Sequence, residues 1–238
     1  MGDWNTLHVF DDRRFHEEIV PMLRGRKVGV EEHYEKFLTR SPRCDVGIEE
    51  MVPLFRQFSA DFTRHPGYDA LLAQDGNATF DRIHRGEYYT RRFFEFVVFS
   101  ECASFFPYFV MGYRQFGAAV RAKEGDTVVD DLLLRISHGN ADNPWKWDGD
   151  GIRSWMSTQE VKVLLDSGSI VPRREDEAEY VQDFLRFLGV VTKNKLGLLS
   201  ACDILSDDLK GCAPPHLNKD LWTGVEMGTL VWEHRRAP

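Results

Sequence analysis

The chain has 238 residues, 42% of them hydrophobic and 29% charged, which is enough apolar material for a sizeable core and argues against disorder. Its 38 acids against 30 Lys and Arg give a formal net charge of -8, so phosphate backbones and anionic lipid are disfavoured partners unless a local basic patch exists. The bases occur in scattered pairs such as Arg13-Arg14 and Arg91-Arg92, each close to acids, and no nucleic-acid or membrane partner is expected.

In chain order, LHVF at 7–10 reads as a short strand, and the run from Asp11 to Gly25 as the helix after it. Asp11 or Asp12 would cap that helix, Phe15, Ile19 and Leu23 would be its buried face, and Gly25 would stop it. Met51, Leu54, Phe55, Phe58 and Phe62 repeat at helical spacing and predict a helix over 47–63, ended by HPGYD at 65–69.

Residues 93–112, FFEFVVFSECASFFPYFVMG, are the least polar stretch. They are numerous enough to cross a bilayer but include Glu95 and Glu101, and each charge costs a few kcal/mol at a bilayer centre. Apolar positions all round the helix predict instead a buried core helix, kinked or ended at Pro107. Arg91 and Arg92 precede Glu95 by four and three residues and can pair with it. Glu101 has Val97, Val98, Ser104 and Phe105 as helical neighbours, none of which neutralises it. It therefore requires a partner from elsewhere in the fold, or it is a candidate general acid or base with a raised pKa.

DTVVDDLLLRISHG predicts a helix capped by Asp126 and closed near Gly139. The next twelve residues, NADNPWKWDGDG, combine turn formers with two tryptophans and mark either an exposed loop or a boundary between lobes at 1–139 and 140–238 of a chain that also fits one domain. STQEVKVLLDSG opens with a capping box, Ser157 to Glu160, and EDEAEYVQDFLRFLG places Tyr180, Phe184 and Leu188 on one helical face. GVVTKNKLGLLSA reads as a hairpin turning at Lys193–Lys195, and GVEMGTLVW as a strand. The expected fold is mainly α with a minor β component (α+β), compact and globular, possibly in two lobes.

Cys44, Cys102, Cys202 and Cys212 are widely spread with no C-x-x-C pair, which suits reduced thiols in a cytoplasm rather than a disulfide framework or zinc site. The first residues lack the basic start and apolar run of a secretory signal. Gly2 and Thr6 meet the loose myristoylation spacing, but no polybasic second signal follows. An EF-hand register with Gly151 at position six puts Lys146 at one and Ser157 at twelve, where the strongest ligands belong. The eight histidines show no H-E-x-x-H, H-x-H or E-x-x-H spacing, and G-x-S-x-G, P-loop and G-x-G-x-x-G signatures are missing. No metal or cofactor is expected.

Two classes of function remain. The first is an intracellular binding protein, most concretely an inhibitor or immunity-type protein that neutralises a basic protein partner, such as a toxin or enzyme, through an acidic surface carrying Trp145, Trp147, Asp148, Asp150 and Trp155. The opposing reading of those indoles is that they fold inward and fasten the loop to the second half of the chain. The second class is a metal-assisted hydrolase or nuclease using Asp148, Asp150, Glu160 and Lys162, in an acid-x-lysine arrangement that belongs on a strand, or an acid–base enzyme using Glu101.

Overall fold

Thr6, His8 and Phe10 alternate with Asn5, Leu7 and Val9 along the first strand, β1 (Asn5–Phe10), and all six are buried. A strand covered on both faces needs neighbours along both edges and helices above and below. The computed structural model describes residues 5–62, 87–112, 115–138, 151–204, 209, 211–217 and 219–232, and within them β1 has all of these. On one edge it pairs along its whole length with β6 (Gly197–Cys202), and on the other with β2 (Tyr108–Val110). With β4 (Gly151–Met156) beside β6 and β7 (Leu230–Val231) beside β2, the order is β4-β6-β1-β2-β7, antiparallel throughout. Strands from either side of residue 139 therefore share one sheet.

Helices cover both faces, giving an α+β fold with a core on each side of the sheet. On one side lie α1, a continuous run of Asp12–Arg14, a π turn Phe15–Ile19 and Val20–Leu23, then α2 (Val30–Arg40), α3 (Ile48–Phe62) and α4 (Glu87–Glu101). On the other lie α5 (Gln115–Ala119), α6 (Thr127–His138), α7 (Thr158–Asp166) and α8 (Ala178–Lys193), with a small ribbon of β3 (Val120–Ala122) and β5 (Ile170–Pro172). A bulge between Ile152 and Ser154 shifts the phase of β4, so that Ile152 and Trp155, three residues apart, both enter the first core. No disulfide joins the cysteines. Among the described residues, no helix is long and apolar enough to cross a membrane.

The apolar stretch at 93–112 corrects one expectation. Phe93, Phe94, Val97, Val98 and Phe99 are fully buried on α4, but the helix stops at Glu101, before Pro107. Cys102 and Ala103 both donate to the Val98 carbonyl, and the chain then turns through a cis Phe106–Pro107 bond into β2. One hydrophobic run thus supplies a helix and a strand. The predicted hairpin at 193–195 is also corrected: Val190 and Val191 extend the buried face of α8, and Asn194 and Lys195 form a helix-to-strand turn into β6. The strand expected over 224–232 shrinks to the two residues of β7. Helix α2 has no counterpart among the elements expected from sequence. Its Val30, Tyr34 and Phe37 have helical spacing and are buried, but Glu31, Glu32, Glu35 and Lys36 dominate its composition.

Candidate functional site

Of the residues nominated for partner binding, Trp145, Trp147, Asp148 and Asp150 lie outside the described residues, as does the helix end expected at Gly139. Trp155 is placed, and its place contradicts a binding role. It has no exposed surface, and its ring lies 5.9 Å from Phe10 and 6.2 Å from His16. The β4 bulge turns it into the core, so it stabilises the sheet and offers nothing to a partner.

The nominated catalytic charges are held by structural partners. Glu160 closes the predicted capping box with Ser157 and also pairs with Arg135 at 2.5 Å. Lys162, one helix face away, pairs with Asp166. Both sit on α7 rather than on a strand, so the acid-x-lysine geometry is not formed by them.

Glu101 has the outside partners its neighbours demanded. His33 Nε2 on α2 lies 3.0 Å from Oε1, and Arg14 Nη2 on α1 lies 2.5 Å from Oε2. The hydrogen bond from His33, and then that from Arg14, outweigh burial and hold the Glu101 carboxyl down at about 2. The same bond raises His33. Glu101 is a fixed anion tying three helices, which removes the proton a general acid would donate near neutral pH. Arg92 and Arg91 likewise flank the fully buried Glu95, at 2.7 and 3.9 Å.

His8 shows why a lone histidine is uninformative in sequence. Its Nδ1 faces the carbonyls of Ser104 and Phe105 at 3.2 and 3.1 Å, so it carries the hydrogen, and Nε2 accepts from Thr6 Oγ1 at 2.9 Å. Burial pushes its pKa down to about 4, leaving it neutral and structural.

The remaining constellation lies where β1 and β4 end and α1 and α7 begin. A cleft of about 970 Å³ opens there, lined among others by Asp11, Asp12, Thr158, Lys195 and His216. Asp11 caps α1 by accepting from the Arg14 amide at 2.8 Å, and its other oxygen lies 2.9 Å from His216 Nε2. Asp12 does not compete for that cap. It reaches the start of α7, accepting from Thr158 Oγ1 at 2.5 Å and from the Thr158 amide at 3.1 Å, while burial raises its pKa. The tandem aspartates therefore serve two helices 146 residues apart. In sequence the pair offers two candidates for one cap, and nothing there points to His216. Among the described residues, no group of three or more His, Cys, Asp or Glu is arranged to hold a metal ion. Comparison with protein-family models, curated proteins and solved structures returned no match.

Proposed function

We propose that this chain is a cytoplasmic binding protein of the inhibitor or immunity type, which neutralises a basic protein partner through an acidic surface that includes Trp145, Trp147, Asp148 and Asp150. The observation supporting this reading over catalysis is the fate of the nominated charges. Glu101 is an anion locked between Arg14 and His33, Glu160 caps α7 and meets Arg135, and Lys162 meets Asp166. Each builds the fold, while a net charge of -8 favours association with a partner of opposite sign. Purification of the tagged chain from its native cells at native expression is expected to bring down one stoichiometric basic protein, and Trp147→Ala to weaken that complex by about 2 kcal/mol with the fold intact. Recovery of the chain without any stoichiometric protein contradicts the reading.

A second reading, acid–base catalysis, draws on the Asp11–His216 pair beside the cleft, because a carboxylate-oriented imidazole is a common general base. Reproducible binding of a divalent ion by calorimetry would favour an enzyme over a binding protein.

A further inference from the structure

Helix α6 divides its apolar residues between inside and outside. Val129, Leu132, Leu133 and Ile136 enter the second core, whereas Val128 is 58% and Leu134 55% exposed. Leu134 lies one turn beyond the exposed Asp130 and Asp131, so an outward apolar side chain is framed by two carboxylates. Val128 stands at a groove of about 350 Å³ shared with α7, where Val129 and Val163 meet Asp126, Lys162 and Asp166. An adjoining hollow of about 260 Å³ is lined by Lys123, Glu124, Asp126, Asp130 and Asp131. The two linings together hold five carboxylates (Glu124, Asp126, Asp130, Asp131 and Asp166) against two ammonium groups, and one of those, Lys162, is already paired with Asp166.

We propose that this face of α6, with its groove against α7, docks a basic amphipathic segment of the protein partner. Apolar side chains of that segment would cover Val128 and Leu134, and its lysines or arginines would lie over Asp130 and Asp131. The proposal rests on the binding-protein reading and names the surface and the chemistry of the occupant. Charge complementarity selects that occupant. A second copy of this chain would set the same carboxylates against each other, and nucleic acid or anionic lipid would be repelled. An apolar stripe with flanking cations laid into a groove between helices is a recurrent mode of peptide recognition.

The test uses the full-length chain and a synthetic helical Lys/Leu peptide as probe, with Glu/Leu and Lys/Ser peptides of the same length as controls, followed by amide chemical shifts. The Lys/Leu peptide is expected to shift resonances of α6 and α7, and to bind at least tenfold more tightly than either control. Asp130→Lys combined with Asp131→Lys, and separately Leu134→Ser, are expected to weaken it at least tenfold. All three positions are exposed, and the unperturbed remainder of the same spectrum verifies the fold. Shifts confined to other elements, equal binding of the Glu/Leu peptide, or affinity unchanged by these variants overturns the proposal. Retention of a stoichiometric native partner by both variants overturns this docking assignment and leaves the binding reading standing. Absence of any native partner overturns the reading and this assignment with it.

Discussion

Glu101 holds α1, α2 and α4 together through Arg14 and His33, so its removal should be felt as lost stability. Glu101→Gln is expected to lower unfolding free energy by about 1–3 kcal/mol, the range for losing charge-assisted hydrogen bonds, with a reduced urea midpoint as the readout. An unchanged midpoint would contradict the tie. The titration behaviour of these residues also has defined signs. His8 titrates at about 4 in the fold against 6.5 when free, so the unfolded chain takes up a proton that the folded chain refuses. Stability from His8 is full above 6.5 and falls with pH toward 4, by about 3 kcal/mol in total. His16, also lowered to about 4 by burial, acts in the same direction. Glu101 adds a loss further down, between 4.5 and about 2, whereas the raised His33 contributes stability below 6.5 that disappears as pH rises through its elevated value. Urea unfolding at pH 7 and at pH 4.5, compared between the parent chain and His8→Gln, isolates the first of these from the opposing His33: an identical pH dependence in the two chains would contradict a neutral, buried His8.

At the scale of elements, Gly197 controls how closely β4 and β6 approach at the cleft end of the sheet. A Cβ there would sit 2.2 Å from the Met156 carbonyl oxygen, a backbone atom that cannot swing aside. Gly197→Ala should therefore cost about 3 kcal/mol by forcing the strands apart, visible as a lower thermal midpoint, and a neutral outcome would show that the strand ends yield. The elements that were legible in sequence were those with local causes. The Ser157–Glu160 capping box, the Asp126 cap and helix α3 each have causes within a few residues, and each stands as read, with Met51 and Phe55 buried. The side chains of Phe58 and Phe62 and the stop expected at residues 65–69 lie outside the described residues. What was illegible depended on distant residues. Trp155 looked like part of an exposed aromatic cluster because the bulge that turns it inward is set by pairing with β6. Asp12 looked like a spare cap because its partner is Thr158. His216 carried no signal because its companion, Asp11, lies at the other end of the chain.

For the whole molecule, the sheet order sets what folds with what. β1 and β2 come from the first half of the chain and are flanked by β6, β4 and β7 from the second. A fragment ending at residue 139 would expose the edge of β1 that β6 covers, together with the Leu7, Val9 and Phe109 side chains that face the second core. It is expected to remain unfolded or to aggregate, as judged by amide chemical-shift dispersion. A well-dispersed spectrum from that fragment would contradict a sheet whose halves need each other. The same scale carries the functional claim, since a net charge of -8 acts on encounter with a partner before any contact is made. The most direct measurement is the association rate constant of the chain with its co-purified partner as a function of salt concentration. The rate is expected to fall steeply as salt rises, and to slow further, mainly at low salt, when Asp148 and Asp150 are both changed to Lys. A rate indifferent to both salt and charge reversal would contradict an acidic surface as the means of recognition.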